Sequence, residues 1–163
     1  EIVLARAAGR EGWWYVACGE QAPRANVFVD GEAIEVQQLM GAFVAKYRPD
    51  GFLYYATAIW NSERCIDGCD TFTTWDPRSW MTFHGDGSLT CVGPGGRPLP
   101  TIRLENLRDG LEDYAYVQLL ERLSGRKVKV PESVCRDVRQ YNDDPECIYA
   151  WRKRIAEAIE RAM

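Results

Sequence analysis

A single histidine, His84, serves the whole chain of 163 residues, which leaves no basis for a histidine-built metal site. Neither a G-x-S-x-G nucleophile elbow nor a glycine-rich phosphate loop occurs. Positive charge is in deficit, with 20 Lys and Arg against 24 Asp and Glu and a net charge of −4, so the basic face that a nucleic-acid partner requires is missing. No apolar run approaches the roughly 20 residues of a membrane-spanning helix, so no membrane partner is expected. No signal-peptide pattern stands at the start, and no internal repeat or low-complexity segment follows. The chain opens at Glu1 without an initiator Met, which leads to the expectation of a fragment or a processed chain.

What is present is an ordinary globular composition, 46% hydrophobic and 27% charged, in a chain long enough for one domain with a real core. Of six cysteines only Cys65 and Cys69 are close in sequence. They read as a local disulfide or as two free thiols, ahead of a zinc half-site that lacks a second half, and no metal or cofactor is expected. Cys18 and Cys91 are expected to be small buried residues at strand ends.

Residues 85–120, GDGSLTCVGPGG followed by RPLPTIRLENLRDGLEDYAYVQLL, form the most organised stretch. Glycines at both ends of 88–92 supply the turns that bound a short apolar strand. From Thr101 the pattern turns helical, with Leu104, Leu107, Leu111, Tyr114, Val117 or Gln118, and Leu120 to Leu123 on a face that is expected to meet a sheet. Earlier, 13–18 is a nearly continuous apolar run, read as a strand buried on both faces. Residues 32–47 carry a helical stripe (Ile34, Val36, Leu39, Met40, Phe43, Val44, Tyr47), stopped by Arg48-Pro49-Asp50-Gly51. A second buried strand is expected over 52–57. Strand, helix, strand at these lengths is a parallel crossover, so the fold class expected is α/β with 13–18, 52–57 and 88–92 as neighbouring parallel strands. Residues 58–84 show no helical period and hold Trp60, Trp75 and Trp80, as an ordered functional loop would. A short helix over 132–139 and a final helix from Pro145, striped by Ile148, Trp151, Ile155 and Ile159, complete the chain.

Three of these stretches, GWWYVAC at 12–18, GFLYYATAIW at 51–60, and GDGxL with IRLExLRDGLEDYxY at 85–116, together resemble the C-terminal part of the glycoside hydrolase family 123 catalytic domain. The chain departs from that pattern at Tyr55, where Trp is usual, at Cys91–Val92, where Tyr-Pro is common, and at Ala115, where an acid is common. The resemblance covers roughly residues 11–123, with a helical tail over 124–163 in one unit. It implies the C-terminal part of a (β/α)8 TIM-like barrel. It also implies a β-N-acetylgalactosaminidase-like activity on a glycan substrate, and a secreted or cell-surface setting. The mechanism implied is substrate-assisted, with the catalytic Asp-Glu pair on an earlier strand, so no catalytic residue is expected in this chain.

In such a barrel the site gathers at the C-terminal strand ends, here 17–20, 56–61 and 92–96. That geometry selects Tyr15, Tyr55, Trp60, Asn61 and Trp75 as substrate-binding candidates, since sugar C–H bonds stack on aromatic faces. The plainer reading of the aromatics is packing: Tyr15, Tyr55 and Trp60 in the core, Trp75 and Trp80 plugging their own loop. Glu20 is the one acid near a strand end. Asp86 precedes its strand and is expected at the opposite end, in an Asx-type turn. Glu112 and Asp113 are expected to pair with Arg103 and Arg108 or to face water. The rival function is a non-catalytic carbohydrate-binding or interaction module. For an isolated barrel segment, self-association or pairing with the rest of the barrel is expected through its open sheet edges.

Overall fold

The computed structural model describes residues 2–59 and 84–163. Trp60, Asn61, Trp75, Trp80, Cys65 and Cys69 lie outside the described residues.

A short helix α1 (Ile2–Ala7) leads to β1 (Trp13–Tyr15), which pairs in parallel with β2 (Gly51–Leu53) in the register Trp13↔Gly51, Trp14↔Phe52 and Tyr15↔Leu53. Asp50 clamps the entry of both strands, accepting from Gly12 N at 2.7 Å while its own N–H donates to Gly12 O at 2.8 Å. The connection runs through α2 (Ile34–Gln38), a π turn (Leu39–Phe43) and α3 (Val44–Tyr47), as the sequence period predicts. The stop at Arg48 is a left-handed cap with φ of 53°.

The strands are shorter than expected and not buried on both faces. Trp13 is 56% exposed and Tyr15 46%, while Trp14 alone turns inward, edge-on to Phe43 and Tyr47 at 6.3 Å each. The cause is that the described sheet has two strands, with the helical connection covering one face only.

The third strand also differs. β3 (Thr90–Val92) pairs antiparallel with β4 (Pro98–Pro100) across a 3-10 turn at Pro94–Gly96. Gly95 and Gly96 hold positive φ there, which reverses the chain within three residues. Toward the end of the β2 segment, residue 88 bridges Ala58 antiparallel, and Thr90 N donates to Thr57 O at 3.0 Å. The expectation of three parallel strands is therefore corrected. Among the described residues there are two, beside an antiparallel hairpin, in a mixed α/β arrangement that closes no barrel.

Helix α4 (Ile102–Ser124) has the expected bounds, ending at Gly125 in the left-handed region. Its buried residues, Arg103, Gly110, Asp113 and Val117, form a stripe at helical spacing, and it packs on helices rather than on a sheet. The reason is the pair Gly41 and Gly110. A Cβ on Gly110 would lie 2.6 Å from Gln37 O and 2.8 Å from Met40 Cβ, so only glycine permits this crossing. Asp113 does not face water. It is 1% exposed, accepts from Gln37 Nε2 at 2.7 Å, and lies 3.2 Å from Arg152 Nε. Arg108 takes Glu105, Asp109 and Glu112 instead.

The tail is not wholly helical. Residues expected as a short helix form an antiparallel pair, β5 (Cys135–Asp137) and β6 (Gln140–Tyr141), because Asp137 Oδ1 accepts from Arg139 N and Gln140 N and fixes a tight turn. The last helix, α5 (Pro145–Ala162), is capped by Asp144 and buries Ile148, Trp151, Ile155 and Ile159 as its stripe predicts. One core cluster joins Val16, Val27, Val36 and Phe43 to Val134, Trp151 and Ile155. Of the described cysteines Cys135 is buried, whereas Cys18 and Cys91 are only partly so.

Two predictions follow from this packing. Gly110→Ala gains helix propensity of about 1 kcal/mol but forces a methyl into backbone, so a net loss of roughly 1–2 kcal/mol is expected in urea unfolding. An unchanged midpoint would refute the crossing. Glu35, at the start of α2, is held above the ordinary carboxylate value by burial, against its hydrogen bond from Asn26 N at 3.3 Å. A raised folded value means that its contribution is full below the ordinary carboxylate range and lost as pH rises through the folded value. Glu35→Gln should therefore stabilise the fold at neutral pH and lose that advantage in acid, as unfolding midpoints across pH will read.

Candidate functional site around the Gly-Asp-Gly turn

Beyond β2 the chain continues as Tyr54 and Tyr55, whose side chains leave the strand on alternate sides. The Tyr54 ring stacks on Phe52 with centroids 6.5 Å apart and meets Tyr55 edge-on at 5.3 Å. Its hydroxyl donates to Asp86 Oδ1 at 2.8 Å and accepts from Gly87 N at 2.7 Å. Asp86 is fully buried, and its second oxygen, Oδ2, has no hydrogen-bond partner among the described residues.

The turn around Asp86 needs both its glycines. Gly85 and Gly87 have φ of 76° and 74°, where a side chain is strained. Space is closed as well: a Cβ on Gly85 would lie 2.9 Å from Arg103 Nη2, and one on Gly87 2.8 Å from Tyr55 Oη. Ser88 N closes the turn onto Gly85 O at 3.0 Å. From beneath, Arg103 of α4 donates through Nη2 to Ser88 O at 2.8 Å. Burial lowers the pKa of this guanidinium from its ordinary value, and its Nε has no partner among the described residues. On the flank, Asp30 accepts from His84 N at 3.1 Å and its carboxylate meets His84 Nδ1, while Val29 N donates to His84 O at 2.8 Å. The loop after β1 is thereby stapled to the segment that leads into the turn.

Asp86 thus lies at the end of β2 where Tyr54 and Tyr55 emerge, not at the opposite end, and it bonds a phenol rather than its own backbone. The cause is strand direction. A strand running antiparallel to the β2 segment starts where a parallel one would finish. Tyr54 and Asp86 are the residues that sequence reasoning missed. The signal was available in the acid between two glycines; its position was not.

The structure brings Tyr55 together with Asp86, and Tyr15 and Cys18 are its electrostatic neighbours. Burial first, then Asp86, pushes the Tyr55 phenol above its ordinary value; Tyr54 is raised by burial too, against its bond from Gly87 N. Both hydroxyls therefore stay protonated at neutral pH. Tyr55 is 39% exposed, so part of its side chain is open to a ligand, while its hydroxyl lies beside Gly87. Tyr15 lines a cavity of about 120 Å³ with Trp14, Val16, Phe43 and Glu20, and Glu20 is paired with Arg24 at 3.3 Å. Among the described residues no group of three or more His, Cys, Asp or Glu is placed to hold a metal ion. The arrangement is a set of partly exposed aromatic rings beside one buried carboxylate.

Residues 1–120 match the family description "Glycoside hydrolase 123, catalytic domain". The chain belongs to the glycoside hydrolase 123 family. A comparison with curated proteins finds no match. The matched span of this family member includes β1, β2, Tyr54, Tyr55 and the whole Gly-Asp-Gly turn, and it ends inside α4.

Tyr54→Phe should leave Asp86 Oδ1 and Gly87 N–H unpaired and cost about 1–3 kcal/mol of unfolding free energy. A loss near zero in urea titration would mean that the turn does not depend on this phenol.

Proposed function

We propose that this family member forms the C-terminal part of a (β/α)8 glycosidase barrel that acts on N-acetylhexosamine-containing glycans. Its role there is to supply the aromatic wall of the sugar site. The observation that carries this reading is the Tyr55 ring, exposed at the end of a parallel strand with its hydroxyl against a buried carboxylate, in a chain of a glycosidase family. The parallel pair β1–β2 with a helical crossover is the unit from which such barrels are built. Tyr15, Trp60, Asn61 and Trp75 belong to the same proposed wall.

In this reading the sugar's 2-acetamido group attacks the anomeric carbon. One carboxylate orients that group and its neighbour protonates the leaving oxygen, a variant of the usual two-carboxylate scheme. The proposed acids are an adjacent Asp-Glu pair upstream of this segment. No Asp-Glu dipeptide occurs in the 163 residues, and the reverse pair Glu112-Asp113 is engaged by Arg152 between helices.

The test is turnover of a chromogenic N-acetyl-β-galactosaminide by the protein at its natural full length and by the 163-residue chain alone. Turnover is expected from the first and none from the second. Tyr55→Ala in the full-length protein should weaken sugar affinity roughly tenfold with an unchanged unfolding midpoint, the value of one lost stacking contact. Turnover by the isolated chain that Glu20→Gln or Asp113→Asn abolishes would place the acids here and overturn the reading. Sugar binding without turnover at full length would favour a carbohydrate-binding module.

A further inference from the structure

We infer that Asp86 is a positioning residue that fixes the polarity of a hydrogen bond between Tyr55 and the sugar. Asp86 takes the Tyr55 hydroxyl proton, and the phenol oxygen is left to accept a proton from a glycan hydroxyl or amide. This rests on the proposed role of Tyr55 as a sugar contact.

The donors around the carboxylate support the assignment. Tyr54 has one proton and spends it on Asp86 Oδ1, while a lone pair of the same oxygen takes Gly87 N–H. Tyr54 therefore has no proton left to give a ligand. Asp86 Oδ2 is fully buried and has no donor among the described residues. A buried carboxylate oxygen without a donor is costly, so the next proton within reach is drawn to it. That proton belongs to Tyr55, whose ring is edge-on to Tyr54 and whose hydroxyl abuts Gly87, the residue after Asp86. Arg103 does not supply it: its Nη2 is directed to Ser88 O, and among the described residues neither its Nε nor Asp86 Oδ2 has a hydrogen-bond partner, so the two are not bonded to each other. Of the other titratable groups near Tyr55, Tyr15 is half-exposed and Cys18 partly buried. Burial first, and then Asp86, raise the Tyr55 phenol above its ordinary value, so the hydroxyl keeps its proton at neutral pH. A phenol has one proton and two lone pairs. Once the proton points inward, the side that faces the site is an acceptor only, and it selects sugars that present a donor there.

The experiment is calorimetric binding of methyl N-acetyl-β-galactosaminide and its singly deoxy and deoxyfluoro analogues to the full-length protein. Fluorine replaces a hydroxyl in size but cannot donate. At one sugar position both analogues should lose about tenfold in affinity, and Tyr55→Phe should abolish that selectivity. Asp86→Asn presents an amide that can donate to the phenol and turn its proton outward, so the fluoro penalty should shrink while the deoxy penalty persists. A purely structural Asp86 would lower affinity for all analogues alike and leave their ratio unchanged. A fluoro analogue bound as well as the parent at every position, or a penalty that survives Tyr55→Phe, overturns the inference and leaves the proposed function standing. No binding of the parent sugar overturns both. Should Asp86→Asn fail to fold, the fluoro and deoxy series on the wild type and Tyr55→Phe decides alone.

Discussion

The close crossing of α2 and α4 at Gly41 and Gly110 sets the depth of everything built on those helices. Neither residue has a side chain, and the backbones meet directly. One turn beyond Gly110, Asp113 enters the same interface and is held by Gln37 and Arg152, which ties α2, α4 and α5 together. Burial raises this carboxylate above its ordinary range, opposed by those two partners. A buried charge of this kind is tolerated only with its partners in place, so its position specifies one arrangement of the three helices. Arg103 lies two turns before Gly110 on the same stripe. The crossing therefore also fixes how far its guanidinium reaches beneath the Gly-Asp-Gly turn.

From that support the site is assembled by short polar contacts around one carboxylate. Arg103 holds the turn from below, Tyr54 holds Asp86 from the strand, and the Asp30–His84 pair draws in the loop after β1. Near this carboxylate the rings of Tyr15 and Tyr55 are partly open to solvent, at 46% and 39% exposure. This division suits recognition of a sugar, which needs an apolar face for C–H bonds and fixed polar atoms for hydroxyls.

The tail beyond the family match explains an oddity of the connecting helix. From Ile34 to Ala45 every residue but Glu35 is buried, including Gln37 and Gln38. A helix that covers a sheet with one face would leave the other wet. Here α4 and the β5–β6 hairpin close over it. Gln38 Nε2 donates to Asn142 O at 2.6 Å and Val134 O at 3.3 Å, and Lys46 Nζ donates to Cys135 O at 2.8 Å. Gln38 and Lys46 are thus polar links between the matched catalytic-domain segment and its tail.

Element type was legible in the sequence wherever a local signal was strong. The apolar residues from Leu104 to Leu123 mark α4, the stripe of α5 repeats at helical spacing, and the crossover from Trp13 to Leu53 has the lengths of a parallel unit. The family, too, was legible from three motifs in order. The direction of β3, the hairpin at Cys135–Tyr141, the glycine crossing and the place of Asp86 were not. Periodicity and glycine punctuation act over a turn or two of chain, so they determine whether a segment is helix, strand or reversal. A strand of three residues offers the same N–H and C=O groups to a parallel or an antiparallel neighbour. Its direction is decided by which distant segment it meets, and that direction alone moved a buried carboxylate from one end of the sheet to the other.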